Sequence, residues 1–405
     1  MASRVGLRTP KRGVWESIVS HHVILVPGFL GFGNLGRLRY FVGVREALTR
    51  GFARHGEQVR VHEVDTLPTA SIRQRAARLR DSIVRVAADD AAPIHVIGHS
   101  SGGLDARLAL SPCAQLPSRR TLATEARVDT LVTVAAPHRG TPLADFFGGL
   151  MGKPMLRFGA AMLGYSLEHG QLPLDVFLKL GRLVTRFDAM VGLPRTALDH
   201  LFEQLFDALD DDGRSAAQEF IQAILADQSL VFQLTAAGCD LLSAYADPPT
   251  LRRGCVLTRA APPKGGGVLK NAHNIYAQLM YGLYTLLHSL AAVAPEAFAT
   301  TPTPEQARVL QRAYGEVPAR SANDGVVPTL SQLWGELVYA ANADHLDVIG
   351  HFASEARDIQ RADLLPTHSR FDEIAFERLW SAVADFVLAS SNDLHEPAPT
   401  CGERM

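Results

Sequence analysis

The stretch from Ile94 to Leu104, IHVIGHSSGGL, constrains the fold of this chain more than any other part of the sequence. An apolar run that is typical of a buried strand ends abruptly at residues 98–102, and a helix-compatible run follows at 103–111. Residues 98–102 fit the pattern G-x-S-x-G, in which a serine occupies a sharp turn and glycines leave room for neighbouring backbones. The stretch therefore predicts a strand–turn–helix unit that exposes the Ser100 hydroxyl at the end of a strand.

Further short apolar runs recur along the chain with turn signals around them, and helical patterns lie between them. In the clearest helical pattern, Ser71 to Ala88, apolar residues return at three- and four-residue spacing. This alternation predicts an α/β fold, a mostly parallel sheet with helices on both faces. The other predicted strands are His22–Val26, Val59–Val64, Leu131–Val134, Gly254–Leu257 and Leu337–Ala340.

The middle of the chain interrupts this alternation, because residues 142–249 contain only helical patterns, the clearest at 197–212. Such a segment either adds core or forms a cap, or lid, over the carboxyl edge of the sheet, where ligands bind. We expect the cap. The predicted organisation is a tail at 1–20, a first core part with the serine turn at 21–141, the helical cap at 142–250, a second core part at 251–389 and a tail at 390–405.

The charge and composition of the chain limit the classes of partner and the cellular compartment that the sequence predicts. The net charge of −2 supplies no positive field that would gather nucleic acid or an anionic membrane. The first twenty residues lack the apolar region of a secretory signal, which predicts a cytoplasmic protein and leaves secretion by another route open. The four cysteines are then reduced thiols, although Cys239 and Cys255 could form a bridge in an exported protein.

One apolar segment, Tyr276 to Ala294, holds no charged residue and approaches the length that crosses a bilayer. Glutamine, threonine, histidine, serine and tyrosine side chains interrupt it, and no basic cluster follows it. We therefore predict a buried or pocket-lining helix and no transmembrane span.

A serine hydroxyl is a poor nucleophile unless a base removes its proton, so Ser100 requires a histidine that a carboxylate orients. Where a G-x-S-x-G serine is the nucleophile, the acid and then the histidine follow it along the chain. Asp324, in the turn SANDGVVP, and His345, after the apolar run 337–340, fit this order. Asp324 could instead be an ordinary turn residue, and the rival histidines are His138, His273, His288 and His351.

The reaction also needs backbone donors for the oxyanion of the tetrahedral intermediate. One expected donor is the amide of Ser101, directly after the nucleophile. The other is the amide of Phe29, because the glycine-rich loop VPGFLG follows an early strand and Gly28 lets the backbone turn closely. The alternative is a glycine-rich turn without a catalytic role.

Together these segments resemble the bacterial true lipases (family I lipases) of the α/β-hydrolase superfamily. The matching segments are VILVPGFLGFG, YFVGVREAL, IHVIGHSSGG, VAAPHRGTPLADF, NDGVVP and DHLDVIG, within residues 20–150 and 320–390. The resemblance implies Ser100 as nucleophile, Asp324 as acid, His345 as base, Phe29 and Ser101 as oxyanion-hole amides, and a mobile helical lid over an acyl pocket.

The chain departs from that family pattern in three ways. Pro27 stands where the family usually has histidine, so the oxyanion loop can be held differently. A structural calcium ion is frequent in the family, and Asp347 occupies the place of one ligand, but companion ligands are not evident. The family is typically exported, whereas no export signal is found, which weakens the case for bulk triacylglycerol as the substrate.

The predicted function is a serine carboxylic-ester hydrolase, a lipase or esterase, that cleaves hydrophobic esters through an acyl-enzyme on Ser100 and requires no cofactor. The expected partner is a hydrophobic ester or lipid, with transient contact at a lipid interface. An acyltransferase, a thioesterase and an intracellular polyester depolymerase use the same triad, and a non-catalytic lipid-binding protein is the alternative outside enzymes. Four residues at the start of the cap are either acyl contacts or ordinary core of the cap: Phe146, Phe147, Leu150 and Met151.

Overall fold

The computed structural model describes residues 20–31, 39–88, 91–118, 128–148, 222–263, 275–353 and 363–393, apart from positions 225, 246, 249–250, 364, 366 and 368. Within this part, six parallel strands form one sheet in the order β2-β1-β3-β4-β5-β6. The predicted α/β-hydrolase fold is confirmed. The strands are β1 (Ser20–Val26), β2 (Gln58–Glu63), β3 (Ile94–His99), β4 (Val128–Val134), β5 (Arg252–Thr258) and β6 (Glu336–Ala341).

Helices cover both faces of the sheet, as parallel strands joined by crossover connections require. They are α1 (Val44–Ala53), α2 (Ile72–Ala87), α3 (Ser101–Leu110), α4 (Pro142–Gly148), α5 (Ser229–Gln233), α6 (Ala236–Leu242), α7 (Ile275–Ala291), α8 (Pro295–Phe298), α9 (Pro304–Tyr314) and α10 (Glu373–Asp393). Short 3₁₀ helices span Thr329–Gln332 and Asp347–Ile349.

Side chains of each central strand alternate between two apolar cores. On one face, Val23 and Leu25 of β1 pack with α1 and with α10, whose Trp380 is fully buried. On the other face, Ile24 and Val26 pack with α2, α3 and α5. A smaller cluster joins α9 to β5 and β6. Burial on both faces explains why these strands have nearly continuous apolar sequences.

Most of the predicted cap, including the helical pattern at 197–212, lies outside the described residues, as do residues 1–19 and 394–405 of the predicted tails. The predicted tail boundaries are wrong by a few residues, because Ser20 belongs to β1 and α10 continues through residues 390–393. The described end of the cap segment packs against the core, since Leu230, Leu234 and Cys239 belong to the cluster around α2 and α3. The Thr69 hydroxyl also donates to the Asp227 carbonyl at 2.7 Å. The cap boundaries stay a prediction.

Most of the apolar segment from Tyr276 to Ala294 belongs to α7, and no described helix is both long and apolar enough to cross a bilayer. Tyr284 of this helix is fully buried, and its hydroxyl donates to the Ala261 carbonyl. Among the cysteines of the described part, Cys113, Cys239 and Cys255 are free thiols.

A row of polar side chains crosses the buried sheet at His95. The His95 ring is fully buried, with Nε2 3.1 Å from His21 Nδ1 and Nδ1 2.9 Å from Thr130 Oγ1. Burial, together with the nearby His21 and His22, lowers the pKa of His95 to about 3. The folded chain therefore keeps His95 neutral at pH values where the unfolded chain protonates it.

We expect His95→Gln to flatten the acid limb of the stability curve. Between pH 6.5 and about 3 the unfolded state binds a proton at His95 that the folded state does not. The free energy of unfolding of the parent therefore falls with decreasing pH by about 1.4 kcal/mol per unit from this residue. Urea denaturation of parent and variant from pH 7 to pH 4 measures the difference, and parallel curves for the two proteins would contradict the assignment.

Candidate active site

The turn between β3 and α3 holds Ser100 in a backbone conformation that residues with side chains rarely adopt. Its φ is 54° and its ψ is −133°, and the residue is 6% exposed. A Cβ at Gly98 would lie 2.5 Å from the Gly102 carbonyl oxygen, and one at Gly102 would lie 2.3 Å from the Val26 carbonyl oxygen. The two glycines therefore allow strand and helix to approach closely enough to hold the strained turn.

Asp324 lies in the loop before the first 3₁₀ helix and is fully buried. Its Oδ1 accepts hydrogen bonds from the amides of Val326 and Val327 at 2.9 and 2.7 Å. Its Oδ2 accepts from Thr258 Oγ1 at 2.6 Å and Gln332 Nε2 at 3.2 Å, and lies 2.8 Å from His345 Nδ1. Every partner is a donor, so these hydrogen bonds fix the orientation of the carboxylate toward His345.

His345 follows β6, and two bonds to Asp324 hold it. Its Nδ1 donates to the carboxylate, and its backbone amide donates to the Asp324 carbonyl at 3.1 Å. This bond places the ring proton on Nδ1 and leaves Nε2 as the acceptor of a further proton. The His345 ring lies 4.8 Å, between centroids, from the ring of His99, the residue before Ser100.

The structure thus brings the acid and the base into contact and places the base beside the β3–α3 turn. The hydroxyl of Ser100 and the ring of His345 do not form a hydrogen bond in this conformation, and both residues are in the described part of the chain. Such contacts frequently tighten only when substrate binds.

The loop after β1 lies against the serine, as the predicted oxyanion hole requires. A Cβ at Gly28 would lie 2.5 Å from the Ser100 Cβ, so only glycine allows this approach. The amide of Leu30 donates to the Pro68 carbonyl at 2.9 Å, whereas the Phe29 amide has no acceptor among the described residues. Ser101 is the first residue of α3, where a helix has no internal acceptor for the amide.

Arg75 of α2 holds this loop from the inside, which sequence reasoning did not identify. Its guanidinium donates to the carbonyls of Pro27 and Gly28 at 2.7 and 3.1 Å and also to that of Leu67. It pairs with Asp105 of α3 at 2.8 Å, and both side chains are fully buried. Burial raises the pKa of Asp105 to about 6, because desolvation outweighs the attraction of Arg75. The contacts with Pro27 and Gly28 fix the loop from the side of α2.

Among the described residues, the other histidines that the sequence offered as the base have surroundings different from those of His345. His138 is buried with Nε2 3.1 Å from Thr133 Oγ1, its ring stacks on Trp334, and burial lowers its pKa well below the usual value. His351 Nε2 donates to the Tyr40 carbonyl at 3.2 Å. His288 lies on α7 with its backbone carbonyl bonded to Asn323, and His273 lies outside the described residues.

Asp347, the residue considered for calcium, is buried beside Asp344 in the loop that carries His345. Its Oδ2 accepts hydrogen bonds from the Asp344 amide and the Ser369 hydroxyl at 2.9 and 2.8 Å. Burial raises its pKa to about 7. The described residues contain no group of three or more histidine, cysteine, aspartate or glutamate side chains arranged to bind a metal ion. The sequence predicted no metal site and gave calcium only Asp347 as a possible ligand, and that prediction stays untested.

The chain is therefore an α/β-hydrolase-fold protein with a serine turn, an acid–histidine pair and an oxyanion-type loop at one sheet edge. No family model matches it. A curated relative named triacylglycerol lipase, from Vibrio cholerae, is 29% identical over 130 residues, which are 32% of this chain and 36% of the relative. The chain thus matches about a third of that relative's length. This match confirms the resemblance to bacterial lipases that the sequence motifs indicate.

Solved structures with a similar fold include EstA from Clostridium botulinum, at 16% identity and a TM-score of 0.48, covering 91% of this chain and 87% of that one. The Staphylococcus hyicus lipase matches at 14% identity and a TM-score of 0.47, with 96% and 99% coverage. Lipase 1 from Pelosinus fermentans matches at 15% and 0.46, with 94% and 100% coverage.

We expect Arg75→Met to destabilise the fold strongly, because it leaves the buried Asp105 carboxyl group and the carbonyls of Pro27 and Gly28 without their donor. The free energy of unfolding should fall by about 3–5 kcal/mol, and a double variant with Asp105→Leu should recover part of the loss. The matched control is Arg139→Met, which removes an exposed pair with Asp240 at 2.9 Å and should cost under about 1 kcal/mol. Urea denaturation compares them, and equal losses for Arg75→Met and Arg139→Met would contradict this role.

Proposed function

We propose that this chain is a serine carboxylic-ester hydrolase that cleaves hydrophobic acyl esters through an acyl-enzyme on Ser100. The supporting observation is the 2.8 Å hydrogen bond between His345 and the fully buried Asp324, beside the strained turn that carries Ser100. A buried carboxylate that orients a histidine next to such a serine is the arrangement that activates a hydroxyl for acyl transfer.

In the first half of the reaction, rotation of the Ser100 side chain brings its hydroxyl to His345 Nε2, which takes the proton as the oxygen attacks the ester carbonyl. Asp324 stabilises the resulting imidazolium through Nδ1 and does not itself take the proton. The oxyanion accepts hydrogen bonds from the amides of Phe29 and Ser101. Collapse of the tetrahedral intermediate breaks the ester C–O bond, and His345 returns its proton to the departing alcohol.

In the second half, a water molecule attacks the acyl-enzyme while His345 Nε2 takes its proton. The same two amides stabilise the second oxyanion, and the proton then passes to Ser100 as the acid product leaves. Every proton transfer in this scheme uses side chains of the chain itself, so the proposed reaction needs no cofactor.

The proposed substrate class is a hydrophobic ester, and aromatic residues near the active-site edge support it. Phe146 and Phe147 of α4 pack edge to face with centroids 5.5 Å apart and are both half-buried, whereas Leu150 and Met151 lie outside the described residues. Phe232 of α5 is 59% exposed, and a Cβ at Gly148 would lie 3.4 Å from its ring. The name of the Vibrio cholerae relative, a triacylglycerol lipase, points to the same class.

We expect Ser100→Ala and Asp324→Asn to lower ester hydrolysis by different mechanisms. Loss of the Ser100 hydroxyl should reduce kcat on p-nitrophenyl butyrate by about 10⁴-fold or more. Replacing the Asp324 carboxylate by an amide should reduce kcat by about 10³–10⁴-fold, because the amide disfavours the required His345 tautomer. Asp240→Asn, at an exposed site, is the control and should keep the parental rate. A Ser100→Ala protein as active as the parent would refute the proposed nucleophile.

We also expect kcat/KM to rise with acyl length across p-nitrophenyl esters from acetate to decanoate. Each methylene that becomes buried contributes about 0.8 kcal/mol, or up to about fourfold. Phe147→Ala should reduce this rise more than Ile374→Ala, which alters an exposed residue of α10. Rates that decrease steadily beyond acetate would contradict a hydrophobic acyl site. Added alcohol that captures the acyl group faster than water would favour the acyltransferase alternative.

A further inference from the structure

A short chain of buried hydrogen bonds links the oxyanion loop to the loop of the base. The amide of Gly28 donates to Tyr40 Oη at 2.8 Å, and Tyr40 Oη lies 2.7 Å from His99 Nδ1. On the other side of the ring, His99 Nε2 lies 2.9 Å from the backbone carbonyl oxygen of His345. The His99 ring thus stands between the two loops that carry the proposed oxyanion donor and the proposed base.

The partners of His99 determine where its proton is. A carbonyl oxygen can only accept, so the bond to His345 requires the proton on Nε2. In the neutral ring Nδ1 is then an acceptor, and the Tyr40 hydroxyl, which already accepts from Gly28, donates to it. Burial and the nearby His345 lower the pKa of His99 well below its usual value, which agrees with a neutral ring. Each of these three hydrogen bonds therefore has a defined donor and a defined acceptor.

We propose that His99 is a positioning residue, which as the Nε2–H tautomer sets the distance between the oxyanion donors and His345. This inference rests on the function proposed above and adds a residue to it. Through Tyr40, His99 fixes Gly28, the neighbour of Phe29. Through the His345 carbonyl, it fixes the backbone of the base.

The physical reason is the precision that acyl transfer needs. Catalytic groups displaced by about 1 Å lose about 100-fold in rate, even where the substrate still binds. Gly28 lies against Ser100, and its loop is held by Tyr40 on one side and by Arg75 on the other. Tyr40 is 8% exposed, and burial raises the pKa of its hydroxyl, which therefore stays a donor.

Steady-state kinetics of His99→Leu, His99→Gln, Tyr40→Phe and the double variant Tyr40→Phe/His99→Leu test this role on p-nitrophenyl butyrate. We expect His99→Leu to lower kcat by about 100-fold and Tyr40→Phe by about 10-fold, with KM within about threefold of the parent. The double variant should fall no further than His99→Leu, because both changes break one chain. His99→Gln should recover part of kcat, since its amide N–H can donate to the His345 carbonyl.

The matched control is His95→Gln, which alters a fully buried histidine of the same strand, bonded through both ring nitrogens but four residues before His99. It should lower the melting temperature and keep the parental kcat. If His95→Gln lowers kcat as much as His99→Gln does, the effect is general destabilisation and the inference fails.

Two further outcomes distinguish failure of the positioning role of His99 from failure of the proposed esterase function. An active parent whose His99 and Tyr40 variants keep kcat contradicts the inference alone, whereas a parent inactive on every ester contradicts both. If His99→Leu does not fold, Tyr40→Phe decides, because it removes one oxygen and keeps the packing of the ring against Phe41. Unchanged kcat in a folded Tyr40→Phe protein would overturn the proposed positioning role of His99. Additive losses in a folded double variant would also overturn it.

Discussion

The active site depends on the close approach of three backbone segments around Ser100: the end of β1, the end of β3 and the start of α3. At Gly28, Gly98 and Gly102 any Cβ would stand 2.5 Å or less from an atom of a neighbouring segment. Absence of side chains at these points lets the turn reach a φ of 54° at Ser100 and keeps it there. The packing of the parallel sheet thereby maintains the strained backbone conformation of Ser100.

Buried polar side chains hold the loops around this turn through networks of hydrogen bonds. Five donors surround the Asp324 carboxylate, which offsets the cost of removing its charge from water. Arg75 connects the oxyanion loop to α3 through Asp105 in the same way. These networks tie the loops to the core, because a loop that shifted would leave a buried polar group without its hydrogen bond.

The sequence predicted the six strands, because burial on both faces produces near-continuous apolar runs that stand out without any alignment. It also singled out Ser100, Asp324 and His345, since their order and their positions after strands follow from the topology of a parallel sheet. It did not reveal the supports of the loops, Arg75 and His99. An arginine on an amphipathic helix resembles any solvated charge, and the second position of G-x-S-x-G is unrestricted, so only the packed structure identifies their partners.

The most direct test of the central claim is covalent labelling with a fluorophosphonate, followed by mass spectrometry of the digested protein. We predict one adduct per chain, carried by the peptide that contains Ser100, and its disappearance when His345 is replaced by alanine. An adduct on another serine, or labelling of Ser100 that proceeds equally fast without the imidazole, would contradict the account.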